Sequence, residues 1–381
     1  MSFHSTMTWP AAPARGWWTG WKNWRAFFTL CLCLDEDGMK GRIVHPFWIA
    51  LVALLAALLL SVLVGSVSLS LMDMARVVAA RLSGTEIGGD LRVADTILFS
   101  LRLPRTALVA LTGSALAVCG TSYQGLFRNP LADPYLIGVA SGAGLGAVIA
   151  LSLRWRYDAL GLLAVPLASF SGAVLTVLMV VMLARVGRSL PVTNLLLAGV
   201  AVNSFTGAMT SFLLLRSTGE LRRAIAWLMG GSAMGGWQPV LAVLPYWLIG
   251  LGILMTMGHA LNVMQFGDEQ AQQLGLPVEA TRWVIIAVSS LATAAAVSFT
   301  GIIGFVGLIV PHLLRLLTGG DYRRLLPLSL LGGAAFLLVA DVLARVVMTP
   351  QELPVGIITA LAGAPFFIWI LRRSRTLPYW S

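Results

Sequence analysis

The sequence predicts an all-α polytopic membrane protein of about ten transmembrane helices. Three observations carry that reading. Of 381 residues, 58% are hydrophobic and 11% are charged, with a mean hydropathy of +0.85, well outside the soluble globular range. Uncharged runs recur along the whole chain, and a run needs about 20 residues to cross a hydrocarbon layer of roughly 30 Å. Gly138, Gly142 and Gly146 recur every four residues, so they share one helix face and let a second helix approach to backbone contact, as packing within lipid favours.

Taken in order, the first predicted span is the uncharged run 46–67, followed by a long loop over 68–103. The second, 104–124, opens at Pro104 between Arg102 and Arg105. A Pro/Asp-punctuated loop after Asn129 then runs into the glycine-studded third span, 135–153. Two further apolar runs give 162–184 and 194–215. The segment 220–236, with Trp227 and four glycines, is predicted to be a short interfacial helix followed by a loop. The sixth span is 241–258, the seventh 283–300 and the eighth 304–317. The eighth is short and holds Pro311, which predicts a kinked or partial crossing wrapped by its neighbours. Spans 325–347 and 355–373 complete the set.

An even number of spans places both termini on one side, and Lys and Arg decide which. Fifteen fall on the terminal side, against six on the other once the 68–103 loop and Arg105 are set aside, because charge in long loops orients poorly. Both termini are therefore expected in the cytoplasm of a multi-pass inner-membrane protein, with residues 46–373 as the membrane domain and 374–381 as a cytoplasmic tail. The net charge of +10 is accounted for by anionic lipid, since the basic residues are dispersed among loops and predict no nucleic-acid partner. In the extension 1–45, Trp9, Trp17, Trp18, Trp21 and Trp24 mix with Arg15, Lys22 and Arg25, as in a segment lying at the membrane interface or in a disordered leader. Cys31, Cys33 and Cys119 form no metal pattern and read as free thiols.

Transport against a gradient needs an energy source. The two lysines, Lys22 and Lys40, follow no glycine-rich loop, so the chain carries no ATP-binding motif of its own and no cofactor is expected in it. An ion-gradient-driven carrier is the alternative, and such carriers place ionisable groups within their spans. Asp341 is the candidate here, but Arg345 lies one helical turn later, at pairing distance. The loop over 268–281 offers another route. Asp268 is placed to cap a first short helix, Gly275 to end it, and Pro277 to open a second with Glu279 in its first turn. The tip Ala271, Leu274 and Leu276 suits docking into a partner's groove; a solvated hairpin linking two spans is the plainer alternative.

Six ordered segments now carry a resemblance: RLPRTALVALTGSALAVCGTSYQGLFRNPLADPYLIGV from Arg102, LLLAGVAV from Leu195, DEQAQQLGLP from Asp268, GIIGFVGLIVPHLLRLLTGGDYRRLLP from Gly301, LLVADVLAR to Arg345, and ELPVGIITALAGAPFFIWIL from Glu352. From roughly Pro46 to Arg373 the chain resembles the permease subunits of bacterial ABC importers for iron chelates, haem and cobalamin. The resemblance implies the type II ABC importer permease fold and a homodimer. It also implies two cytoplasmic ATPase subunits that hold ATP and Mg, and a periplasmic or lipid-anchored binding protein. The cargo it implies is a bulky metal chelate: a ferric siderophore first, haem or cobalamin next.

Residue by residue, the resemblance assigns ATPase coupling to Asp268, Gln272, Leu274, Gly275, Leu276 and Pro277. It assigns binding-protein docking to Arg102, Arg105 and Arg345, whose alternative roles are anchoring a helix end and neutralising Asp341. Cytoplasmic pathway gates fall at Asn129 and Leu131 and at Val192 and Thr193, where Val192 departs from the small hydroxyl residue the family favours. Asn129 before Pro130 is equally a turn former. His312 has no second metal-ligating neighbour at ligand spacing and is expected to serve the carbonyls freed by Pro311, while Gly301, Gly304 and Gly307 predict a tight bend.

Overall fold

The computed structural model describes residues 46–374 apart from positions 66, 68, 86–87, 154–158, 188, 217–220, 232–234 and 350. The extension 1–45, its tryptophans and Cys31 and Cys33, and residues 375–381 lie outside the described residues. The described residues form helices α1 (Pro46–Leu63), α2 (Leu71–Ser83), α3 (Gly89–Asp95), α4 (Leu103–Phe127), α5 (Val139–Ser152), α6 (Ala159–Ala184), α7 (Val192–Arg216) and α8 (Leu221–Leu228). They continue as α9 (Gln238–Thr256), α10 (Gly258–Met264), α11 (Asp268–Gln273), α12 (Val278–Thr300), α13 (Val306–Thr318), α14 (Tyr322–Val346) and α15 (Val355–Ser374). Among the described residues, seven helical stretches are long and apolar enough to cross a membrane, and α5, α13 and α15 are shorter apolar helices, so each of the ten predicted spans falls on an apolar helix.

α4 runs through the centre, against α1, α9, α12, α13 and α14. Every residue from Thr112 to Phe127 is buried. Apart from Thr112, whose hydroxyl has no hydrogen-bond partner, the polar side chains of this stretch bond within the bundle. Thr121 Oγ1 donates to Ser329 Oγ at 2.8 Å, and the Tyr123 hydroxyl lies 3.1 Å from Ser290 Oγ. The glycine face predicted from period four packs against α6: a Cβ on Gly142 would strike Thr176 and the Gly172 carbonyl, and one on Gly146 the Ala168 carbonyl. Gly138 precedes the helix, at φ 96°, in the turn that opens it. By contrast, α1 and α7 expose Val52, Leu55 and Leu59, and Leu197, Val200 and Phe205, respectively. Such faces suit lipid or a second membrane-embedded surface.

Four expectations need correction. The segment 68–103 is largely helical: α2 and α3 lead through wide π-type turns over Thr96–Arg102 into α4, giving one helical stretch from Leu91 to Phe127. Its charges mask the pattern, for α2 buries Met74 and Val77 beneath Asp73, Arg76 and Arg81, and the Arg81–Asp95 pair at 2.7 Å ties α2 to α3. Within 268–281 there is one short helix, because the turn opened by Pro277 continues as α12. Asp268 is the first residue of α11 rather than its cap, a place taken by Gly267. His312 serves no freed carbonyl; its Nδ1 is buried without a hydrogen-bond partner, and its ring stands edge-on to Phe366.

Candidate functional site

The predicted site residues gather at opposite ends of α4. At its N-terminal end, α1 stops at Leu63 and leaves its last carbonyls without helical partners. Two arginines from other helices supply the donors. Arg102 Nη1 donates to the carbonyls of Val62 at 2.8 Å and Leu63 at 3.0 Å, and its Nη2 to that of Val67. Arg345 Nη1 donates to the carbonyls of Ser61 at 3.1 Å and Val64 at 2.9 Å, and its Nη2 to Ser61 Oγ at 2.9 Å. Cations there also complement the negative end of the helix dipole.

Arg102 and Arg345 are 6% and 3% exposed. In this conformation both are turned inward as caps of α1. Burial of a guanidinium is tolerable because each is spent on several carbonyls. Arg345 also lies 3.0 Å from Asp341 Oδ2, the pair expected from their spacing. Arg105 joins the same carboxylate, its Nη2 donating to Asp341 Oδ1 at 2.9 Å, while its Nη1 donates to Glu352 Oε2 at 2.6 Å. Of the three arginines, Arg105 alone keeps an exposed edge, at 32%.

At the other end of α4, α11 closes in a Schellman turn, with Leu276 N donating to Ala271 O at 3.0 Å and Gly275 N to Gln272 O at 2.9 Å. Gly275 at φ 85° supplies the left-handed residue that the turn requires. The turn sorts the expected apolar tip. Ala271 is fully buried, Leu276 packs partly against the core, and Leu274 stands out at 68% exposure beside exposed Gln272 and Pro277. Asp268 faces inward to cations: its Oδ2 accepts from Arg282 Nη2 at 2.8 Å, and its Oδ1 lies 3.5 Å from Arg128 Nη2. Nearby, Asp321 opens α14, accepting from Arg323 and Asn262, and these contacts hold its carboxyl at about 2.

The expected gate residues also lie at this end. Asn129 Oδ1 accepts from Leu131 N at 2.9 Å, so Asn129 does form a turn, and Leu131 projects from it at 43% exposure. Val192 opens α7 and packs partly on the core, with Thr193 exposed after it. Sequence reasoning missed Arg128, Glu279 and Arg282 as partners of these segments. The three-residue spacing of Glu279 and Arg282 was a signal, for they pair at 2.8 Å. Among the described residues, no cluster of three or more His, Cys, Asp or Glu could hold a metal ion.

Residues 53–373 match the model of the FecCD transport family. The chain is 43% identical over 321 residues to the ABC transporter permease protein YvrB of Bacillus subtilis, covering 84% of this chain and 91% of the relative. It is 47% identical to the cobalamin import system permease protein BtuC of Halobacterium salinarum, over 73% of this chain and 74% of that one. It is 41% identical to the hemin transport system permease protein HmuU of Yersinia pestis, over 73% and 84%. Among solved structures it resembles a metal-chelate type ABC transporter in an inward-facing conformation, with a TM-score of 0.72 and 29% identity over 86% of this chain and 98% of that one.

Proposed function

Because this chain belongs to the FecCD transport family, we propose that it is the permease subunit of an ATP-dependent importer carrying a bulky metal chelate across the inner membrane. The observation that carries the reading is the family match across the whole membrane domain, residues 53–373. Relatives named for cobalamin, hemin and Fe(3+) dicitrate support a chelate as cargo, and a ferric siderophore, haem or cobalamin fits that class. Two copies form the pathway, two ATPase chains bind ATP and Mg and engage the turn around Leu274, and a separate binding protein delivers cargo. Both termini face the cytoplasm, on the strength of the basic-residue asymmetry.

On the opposite face, Arg105 receives an acidic group of the binding protein, with Arg102 and Arg345 holding its surroundings rigid. Glu352, 2.6 Å from Arg105, occupies that position in the free permease and exchanges with the incoming carboxylate. Such exchange at a rim tunes association more than affinity. Asn129, Leu131, Val192 and Thr193 form the cytoplasmic gates.

The test is uptake by vesicles containing the permease with its ATPase, loaded with ATP and offered binding protein charged with a ferric siderophore, haem or cobalamin. One chelate is expected to accumulate only when ATP is present. Accumulation of none of the three, by a complex that hydrolyses ATP in response to the binding protein, would overturn the assigned cargo class.

A further inference from the structure

We infer that Arg282 and Glu279 are positioning residues that make α11, the segment 189–191 and the start of α7 move as one body, so that displacement of the coupling segment is delivered directly to the gate at Val192 and Thr193. Arg282, on the second turn of α12, is 2% exposed. Its Nη1 donates to Leu190 O at 2.9 Å and to Glu279 Oε1 at 2.8 Å, and its Nη2 to Asp268 Oδ2 at 2.8 Å. The second oxygen of Glu279 accepts from Leu190 N at 3.1 Å. Both peptide groups of Leu190 are thus held by one ion pair, and its side chain is fully buried.

Pro191 follows, with a fixed φ and no N–H, and α7 begins at the next residue. The clamp on Leu190 therefore sits one stiff residue from the gate. Asp268 extends the arrangement to the other gate through Arg128, which ends α4 in a left-handed conformation at φ 51° immediately before Asn129.

The energetics favour concerted motion. Sliding α11 past Leu190 would break charge-assisted hydrogen bonds and strand a buried guanidinium, which costs more than the bonds are worth as a pair. Carrying Leu190 along breaks none of them. Simple capping of the segment 189–191 would need Glu279 and Arg282 alone, whereas the third contact, to Asp268, reaches into the coupling helix itself.

The inference rests on the proposed engagement of the ATPase at α11, and its experiment separates the two. The complete complex with ATPase and binding protein is prepared for the parent, for Arg282→Lys and for Glu279→Ala, whose side chain is 36% exposed and least able to unsettle the fold. Each carries a spin label at Thr193→Cys in a background lacking the native cysteines. ATPase retention, ATP hydrolysis, chelate imported per ATP, and the label-to-label distance with and without ATP are measured.

ATPase retention and hydrolysis are expected to stay within about twofold of the parent, while chelate per ATP falls about tenfold, the scale of losing one or two charge-assisted hydrogen bonds. The ATP-dependent distance change at position 193 should shrink or vanish in both variants. A parent-like distance change in Glu279→Ala would overturn the joint, whatever Arg282→Lys does. A parent complex that retains no ATPase would instead overturn the assignment of α11, and the joint with it.

Discussion

Asp341→Ala is expected to destabilise the folded permease by ~3–5 kcal/mol, the cost of removing one partner from a buried ion pair. Asp341 is 1% exposed and lies between Arg105 and Arg345, and Arg345 simultaneously caps α1. Without the carboxylate, two guanidinium groups face each other with no anion between them, and the least costly escape for Arg345 pulls it away from the carbonyls of Ser61 and Val64. The α1 end should then loosen first. Thermal unfolding in detergent, followed by loss of the monodisperse peak in size-exclusion chromatography, measures this. Adding Arg345→Met to Asp341→Ala should cost much less than Arg345→Met does alone, because the two changes share one interaction. Parent-like unfolding of Asp341→Ala would contradict the account of this end of the molecule.

Leu274→Asp is expected to do the opposite, leaving the fold intact and removing the partner. Leu274 is 68% exposed at the tip of the Schellman turn, so its replacement takes little from the core. Burying a leucine in a partner's groove is worth ~1.5–3 kcal/mol, and placing a carboxylate there adds a desolvation penalty. Each copy of the permease supplies one such anchor, so ATPase retained on purification should fall by about a hundredfold or more. Unfolding temperature should not change. Undiminished ATPase retention would remove Leu274 from the contact. Leu276 is not an equivalent target, since it packs partly against the core and its replacement would confound folding with docking.

These two residues mark what could be read from the chain and what could not. Hydropathy located every apolar helix, because lipid demands long uncharged runs, and period four located the glycine face of α5. The Asp341–Arg345 pair followed from helical spacing alone. What stayed hidden depends on contacts distant in sequence. Nothing local shows that Arg102 turns back to carbonyls some 40 residues earlier, or that Arg345 reaches Ser61 across 284 positions. Both therefore read as surface cations. The Leu190 clamp was hidden for the same reason, lying 92 residues from Arg282. α2 was concealed by composition, since its charges depress hydropathy although Met74 and Val77 keep helical spacing.

This chain provides a path, and the energy comes from a separate ATPase. Asp341, the carboxylate that a gradient-driven carrier would use, is already engaged by two guanidinium groups. The direct measurement is chelate accumulation in proteoliposomes containing the permease alone, under imposed proton and sodium gradients, beside matched vesicles containing the permease, ATPase, binding protein and ATP. Concentrative uptake is expected in the second set and none in the first. Gradient-driven accumulation by the permease alone would contradict that dependence on the ATPase.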